Sequence, residues 1–329
     1  MKSIPVYVLS GFLGSGKTTL LTRILNYLKL KGKRPAVIMN EIGDVNLDGL
    51  LINDDVPVAE MLNGCICCTI REDLSSTLLD IYHQVQPDVI VIESTGIANP
   101  LELIEGITNA SLIAGIELRL VTTVVSAPHF LALTHAERGK TRRLMEEQIR
   151  CADLLLLNKT DQLTGEYNQE VKNVLEQLNP HANLVETLRC EIGMDLLFTS
   201  SHREAELNDQ NVQQHSIEKM DEHSHHHTHK HVMTYTHRFD GVVDRQKFEN
   251  LFSKIPTEVY RAKGIIKFTK DKDLYLFQFA YRELEIIKIK PQQSVEPKSL
   301  KPVAVFIGEH FDKIQVKNAI QELTSIKMN

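Results

Sequence analysis

The sequence predicts an α/β protein with a doubly wound parallel sheet, followed by a smaller α+β domain. Three observations support this prediction. Residues 11–18 read GFLGSGKT, apolar runs alternate with helical patterns up to about residue 200, and a polar stretch then separates this half from a region of strand-like runs. We expect a P-loop domain over residues 1–199, a His-rich linker over 200–231 and a C-terminal domain over 232–329.

Composition limits the possible functions. With 42% hydrophobic residues, a chain of 329 residues can bury a core and form about two domains. A formal net charge of -6 disfavours nucleic acid as the main ligand. Apolar runs are shorter than a membrane span needs, and the run at 4–9 is not followed by the small-residue cleavage site expected of a signal peptide. We expect a cytoplasmic protein without nucleic-acid or membrane partners, whose thiols stay reduced.

The glycine-rich segment 11–18 matches G-x-x-x-x-G-K-[ST], with an apolar run at 4–9 before it and a helical pattern at 18–30 after it. In this arrangement backbone N–H groups surround phosphates, Lys17 neutralises their charge and the Thr18 hydroxyl reaches Mg²⁺. An ordinary glycine turn would leave the Lys-Thr-Thr sequence unexplained. The residues expected to contact the nucleotide here are Gly11, Gly14, Ser15, Gly16, Lys17, Thr18 and Thr19.

Two further apolar runs end in polar motifs. The run at 88–92 is followed by E-S-T-G, where Glu93 can hold Mg²⁺ through water and the Gly96 N–H can sense a γ-phosphate. We expect Lys17, Thr18 and Glu93 to be the catalytic residues. The run at 153–157 is followed by N-K-T-D, a pattern whose aspartate accepts both guanine N–H groups, although a helix N-cap is the alternative. Asn158, Lys159 and Asp161 therefore indicate GTP as the nucleotide.

Three of the five cysteines lie within the stretch NGCICCT at 63–69. It follows an apolar run at 35–39 and an acidic segment, in the position where P-loop GTPases carry their first switch. Thiolates bind Zn²⁺ well, and a tetrahedral site here would need further carboxylate, histidine or water ligands. Burial in the core is the alternative for Cys65, and it is our interpretation of Cys151 and Cys190.

Five segments together resemble the CobW-like family of P-loop GTPases, which are metallochaperones related to nickel-insertion GTPases. In chain order they read GFLGSGKTT, NEIGDVNLDG, LNGCICC, VIESTGIANP and NKTD, and the segments at 261–266 and 305–308 resemble the family's C-terminal domain. The resemblance implies Mg²⁺-dependent GTP hydrolysis, a glutamate in place of the usual aspartate at Glu93, and zinc bound at C-x-C-C. This chain has Met39 where some members carry a glutamate ligand, and Asp44 where members commonly have glutamate.

A second metal-binding candidate is the histidine tract at 223–231 within the linker, which holds six of the fourteen histidines. Expression tags lie at termini and are uninterrupted, so this tract favours weak, exchangeable binding of Zn²⁺, Ni²⁺ or Co²⁺ for storage or delivery. Lone His237 and His310 are expected to be surface or capping residues. The complete set of candidate metal ligands is Cys65, Cys67, Cys68, Glu41, Asp44, His223, His225, His226, His227, His229 and His231.

These features indicate a slow GTPase that passes zinc to a client metalloprotein, as a monomer or a nucleotide-dependent homodimer. Alternatives are a nickel or cobalt insertion GTPase, a zinc buffer with a regulatory nucleotide site, and a regulatory GTPase with structural cysteines. Helices are expected at 71–84, 100–108, 141–150, 168–179, 244–254 and 312–323, and C-terminal strands at 233–239, 264–269, 274–280, 284–289 and 302–307.

Overall fold

The computed structural model describes residues 3–39, 58–60, 69–136, 139–198, 232–269, 271, 273–280, 282–289, 301–309 and 311–324. The strands are β1 Ile4–Ser10, β2 Pro35–Met39, β3 Val58–Glu60, β4 Val89–Glu93, β5 Ile116–Ser126, β6 Leu154–Asn158, β7 Asn183–Thr187, β8 Val232–Arg238, β9 Val259–Lys267, β10 Leu274–Ala280, β11 Glu283–Lys288 and β12 Val303–Glu309. The helices are α1 Lys17–Leu30, α2 Thr69–Asp80, α3 Pro100–Ile113, α4 Ala127–His135, α5 Lys140–Arg150, α6 Gly165–Leu178, α7 Asp195–Phe198, α8 Arg245–Lys254 and α9 Lys313–Thr324.

The N-terminal half forms a seven-stranded sheet in the order β3-β2-β4-β1-β5-β6-β7, and its strand pairs are parallel. Alternate residues of β1 face opposite helix layers. Val6 and Val8 pack in one cluster with residues of α2 and α3, whereas Tyr7 and Leu9 pack in another with α1. Because side chains alternate along a strand, helices cover both faces of the sheet, which confirms the doubly wound prediction.

The C-terminal half forms a five-stranded antiparallel sheet in the order β11-β10-β9-β12-β8. Helices α8 and α9 cover one face of it through a phenylalanine-rich cluster, in which Phe248 and Phe252 pack with Phe277 and Phe306. Aromatic rings pack edge to face within this cluster, as Phe248 and Phe277 do with ring centroids 5.0 Å apart. The predicted α+β domain is therefore confirmed.

The other face of the C-terminal sheet contacts α3, one of the helices that cover the N-terminal sheet. Leu112 packs with Ile265 and Val303. At the margin of this contact, Arg261 forms an ion pair with Glu105. Helix α3 thus joins the two sheets.

Most predicted elements are present with shifted ends. Helix α3 continues to Ile113 instead of ending at 108, and the helix expected at 71–84 is α2 followed by a π-helical turn at Ile81–Val85. Strand β5, helix α4 and strand β7 were not among the predicted elements. No helix within the described ranges combines the length and the apolar character that a membrane span requires.

Candidate nucleotide-binding site

The predicted phosphate-binding residues meet at one edge of the parallel sheet. The loop at 11–16 leaves β1 and enters α1, Glu93 is the last residue of β4, and Asn158 is the last residue of β6. Since the strands are parallel, their carboxyl ends share this edge, where α/β proteins bind ligands.

Two glycines of the loop are required by close approach and by backbone conformation. Gly11 has φ 133°, and a Cβ there would lie 2.2 Å from the Val124 carbonyl oxygen. Gly16 caps α1 with φ 119°, and a Cβ there would lie 2.6 Å from Asn158 Nδ2. Side chains at these positions would therefore displace the loop from β5 and β6. The loop is held as a turn by the Ser15 N–H, which donates to the Phe12 carbonyl at 3.2 Å.

The first turn of α1 carries two of the three predicted catalytic residues, Lys17 and Thr18. The buried Lys17 folds back so that Nζ donates to the Phe12 carbonyl at 3.1 Å. The Thr18 hydroxyl donates to Glu93 Oε1 at 2.8 Å, which brings these two predicted residues into contact across 75 positions of sequence. Thr19 is exposed. A buried carboxylate beside a threonine hydroxyl at a phosphate loop is a donor set of the kind that Mg²⁺ uses.

Three buried serine hydroxyls line the same edge of the sheet. Ser10, Ser15 and Ser94 are each 1% exposed, and within the described part of the chain none of the three hydroxyls has a hydrogen-bond partner. Buried polar groups are normally satisfied in folded proteins. Phosphate oxygens together with Mg²⁺ and its waters would supply the missing partners, so the site fits a magnesium-bound nucleotide.

The base motif reinforces the phosphate loop. Asn158 Nδ2 donates to the Ser15 carbonyl at 2.8 Å, and Lys159 Nζ donates to the Gly14 carbonyl at 2.8 Å. Asn158 Oδ1 accepts from the Cys190 N–H at 3.0 Å. Asp161 lies on the exposed 3-10 turn Thr160–Gln162. Two of the three predicted base-motif residues therefore bind the loop directly, and the third remains open to a ligand.

The loop after β7 is a part of the site that the sequence did not predict. Arg189 and Cys190 are both left-handed, with φ 52° and 54°, and Cys190 Sγ donates to the Gly16 carbonyl at 3.4 Å. Arg23 of α1 fixes this loop by donating to the Arg189 carbonyl at 3.1 Å and to Glu191 at 2.8 Å. The predicted burial of Cys190 is confirmed, but no local motif marks its contact with Gly16.

Burial also determines the chemistry of this thiol. It raises the pKa of Cys190 to about 11, although the positive charges of Arg23 and Lys159 act in the opposite direction. Cys190 is therefore a neutral thiol at pH 7, and thiols in this form are poor nucleophiles and poor metal ligands. The predicted burial of Cys151 is confirmed as well.

The predicted metal ligands lie outside the described residues. These are Cys65, Cys67, Cys68, Glu41, Asp44 and the six histidines of the tract at 223–231. In the described ranges, no three His, Cys, Asp or Glu side chains cluster closely enough to hold a metal ion. Strand β2 ends at Met39 and β3 at Glu60, and the two strands pair in parallel. Met39 and Glu60 therefore lie at the sheet edge that carries the phosphate loop.

Comparison with known families gives two matches. A family model described as "CobW/HypB/UreG, nucleotide-binding domain" matches residues 5–186. A second, described as "Cobalamin synthesis protein cobW C-terminal domain", matches residues 232–324. The boundary between the matches falls in the polar stretch.

Among curated proteins, the chain is 33% identical to Zinc-regulated GTPase metalloprotein activator 1 of Dictyostelium discoideum, over 56% of this chain and 46% of that protein. It is 31% identical to Zinc chaperone CobW of Pseudomonas aeruginosa, over 63% of this chain and 62% of that protein. The chain thus spans less than two thirds of the length of these two relatives. It is 28% identical to Zinc chaperone YjiA of Escherichia coli, over 98% and 99% of the two chains.

Proposed function

Since this chain belongs to the CobW/HypB/UreG family, we propose that it is a Mg²⁺-dependent GTPase that binds zinc at the C-x-C-C motif and transfers it to a client metalloprotein. The observation that carries the GTPase part is the hydrogen bond of 2.8 Å between Thr18 and Glu93. It joins the phosphate loop to the end of β4, as Mg²⁺-dependent hydrolysis requires. The zinc part rests on the cysteines and on the names of the relatives.

Each residue of the site has a proposed role in hydrolysis. The backbone N–H groups of the loop and Lys17 bind the β- and γ-phosphates and neutralise their charge. Thr18 and Glu93 would hold Mg²⁺, which supplies further positive charge when bound. The Gly96 N–H meets the γ-phosphate and so responds to its loss. Turnover is slow because no arginine finger is among the assigned residues.

The base site selects guanine through Asp161. Its carboxylate accepts from guanine N1–H and N2–H₂, which adenine does not present, so adenine would leave the carboxylate poorly paired. Asn158 and Lys159 act indirectly, because their hydrogen bonds to the phosphate loop fix the distance between the base site and the phosphates.

The proposed zinc site contains Cys65, Cys67 and Cys68, with Glu41 or Asp44 as a further ligand. Met39, two residues before Glu41 in sequence, ends β2 at the sheet edge of the phosphate loop, which supports a coupling between metal and nucleotide. By linkage, if GTP changes zinc affinity by some factor, zinc must change GTP affinity by the same factor. The linker histidines would collect or deliver the metal, and we propose domain limits of 1–199, 200–231 and 232–329.

The first experiment measures Mg²⁺-dependent GTP hydrolysis by the wild type and by Lys17→Ala, with exposed Lys33→Ala as the matched control. We expect a loss of about 100-fold or more for Lys17→Ala and almost none for Lys33→Ala, because only Lys17 contacts the transferred phosphate. Equal rates for the wild type and Lys17→Ala would refute the GTPase assignment.

The second experiment measures zinc affinity by chelator competition, on protein loaded with Mg²⁺ and either GDP or a non-hydrolysable GTP analogue. We expect an affinity that depends on the nucleotide, and we expect Cys67→Ala/Cys68→Ala to remove this dependence. A zinc affinity unaffected by both nucleotide and cysteines would refute the coupled zinc site. It would place the metal on the histidine tract instead.

A further inference from the structure

Helix α5 contains a buried glutamine, Gln148, whose side chain contacts residues 96–98 after β4, a segment called here the γ-phosphate loop. Helix α5 is strongly polar, and its residues Arg143 and Glu147 are exposed. Gln148 is only 1% exposed, and its Nε2 donates to the Gly96 carbonyl at 3.1 Å and the Ala98 carbonyl at 3.3 Å. A buried amide has a high desolvation cost unless its hydrogen bonds are made, so this position is specific.

The backbone of Gln148 is itself held in place by a residue of the sheet. The Thr123 hydroxyl of β5 donates to the Gln148 main-chain carbonyl at 2.8 Å. Met145 and Ile149, on either side of it in α5, are buried in the core beside β5 and β6. The donor therefore comes from a rigid part of the domain and not from a mobile surface.

The loop that accepts these bonds is restrained on its other sides. A Cβ at Gly96 would lie 2.6 Å from the backbone nitrogen of Leu13, so the loop presses against the phosphate loop there. Asn99 caps α3 by accepting from the Leu101 N–H at 2.9 Å. Glycine has wider backbone freedom than any other residue type, so hydrogen bonds from other elements help to keep Gly96 in one conformation.

From these contacts we propose that Gln148 is a positioning residue for GTP hydrolysis. Its amide holds the 96–98 backbone so that the Gly96 N–H points toward the γ-phosphate. The inference rests on the proposed GTPase function and adds to it a residue 52 positions away from Gly96 in sequence. Within the described part of the chain, the hydrogen bonds of the Gln148 side chain go to Gly96 and Ala98 and not to the P-loop. We therefore expect its effect to be confined to the γ-phosphate.

The test variant is Gln148→Met, which keeps the side-chain length and removes both donors. We expect kcat for GTP to fall about tenfold or more. Without the amide, the buried Gly96 and Ala98 carbonyls have no donor from residue 148 in the reactive loop conformation, so that conformation becomes less stable. We expect KM for GTP and the affinity for GDP to change less than about threefold. We also expect the preference for a non-hydrolysable GTP analogue over GDP to shrink by a similar factor to kcat.

The matched control is Asn179→Leu. Asn179 is another buried amide, just after α6. Its Nδ2 donates to the carbonyls of Ile149 at 2.8 Å, Ala152 at 2.9 Å and Arg150 at 3.5 Å, so it bonds the C-terminal end of α5 and not the 96–98 backbone. Its loss should lower the melting temperature at least as much as Gln148→Met does, while kcat stays close to the wild-type value. The control thus separates lost stability from lost positioning.

Two results would overturn the inference. One is a Gln148→Met variant with wild-type kcat and wild-type preference for the GTP analogue. The other is an equal loss of kcat in Gln148→Met and Asn179→Leu. If wild-type protein hydrolyses GTP no faster than Lys17→Ala, the proposed GTPase function fails instead. The ratio of GTP-analogue to GDP affinity in Gln148→Met then still decides whether Gln148 positions the γ-phosphate loop.

Discussion

The phosphate site and the contact between the two sheets are built from different kinds of groups. At the phosphate site, glycines and short polar side chains lie close to backbone atoms, as at Gly11 beside the Val124 carbonyl. At the contact, long side chains of β9, which lies far away in sequence, meet α3. Lys263 Nζ donates to Asn109 Oδ1 at 2.9 Å, and Arg261 pairs with Glu105.

This difference explains why one region can be recognised in the sequence and the other cannot. A glycine that must leave room for a backbone carbonyl has few substitutes, so its position in a motif carries structural information. Lysine, arginine and glutamate are common at any surface, and their pairing depends on the arrangement of two sheets. The comparison predicts that single changes at the phosphate loop are costly and that those at the contact are milder.

The largest effect is expected for Gly11→Ala. The new methyl group would lie 2.2 Å from the Val124 carbonyl oxygen, at a residue with φ 133°. Backbone strain and overpacking together should lower the free energy of unfolding by about 2–6 kcal/mol. Chemical denaturation of the nucleotide-free protein measures this change directly.

Gly32→Ala is the matched control for this prediction. Gly32 also has positive φ, 63°, but a Cβ there meets nothing within 4 Å. Only the left-handed conformation then opposes alanine, at a cost of about 1–2 kcal/mol. Similar losses for the two variants would mean that the approach of β5 to the loop is not what restricts Gly11.

An intermediate effect is expected at the sheet contact for Leu112→Ala. Leu112 is 5% exposed and packs with Ile265, Val303 and Val305. Its truncation should lower stability by about 2–3 kcal/mol, near the lower end for buried leucine because two separate layers can close around the cavity. Thermal unfolding of the variants and the wild type measures this loss. The neighbour Ile113 is 43% exposed, so Ile113→Ala should lower the stability much less than Leu112→Ala does. Equal costs would argue that α3 does not hold the C-terminal sheet.

The sequence predicts local features well and tertiary partners poorly. The P-loop, the apolar strands and their polar ends are contiguous patterns, and the fold built from them is confirmed. Strand β5 was not predicted because Thr122 and Thr123 interrupt its apolar run, and Thr123 can be buried there only because Gln148 accepts its hydrogen bond. The roles of Gln148 and Cys190 depend in the same way on partners that lie far away in sequence.

The smallest effect is expected from the ionisation of Lys263. Burial lowers the pKa of this ammonium group below its ordinary 10.5, Arg261 lowers it further, and Glu105 raises it. Between the folded pKa and 10.5 the unfolded chain binds more protons than the folded chain, so stability rises with pH in this window. Below the folded pKa the destabilising contribution is constant.

Lys263→Met removes this dependence and keeps an unbranched apolar side chain in the contact. The difference in unfolding free energy between wild type and Lys263→Met should therefore shift in favour of the wild type as pH rises toward 10.5. Other titrating groups are common to both proteins and cancel in the difference. Exposed Lys254→Met is the control for the loss of a lysine outside the contact, measured over the same pH range. A flat difference for Lys263→Met would mean that the ammonium group stays hydrated in the contact, in which case desolvation of Lys263 does not oppose the packing of Leu112 and its apolar neighbours between the two sheets.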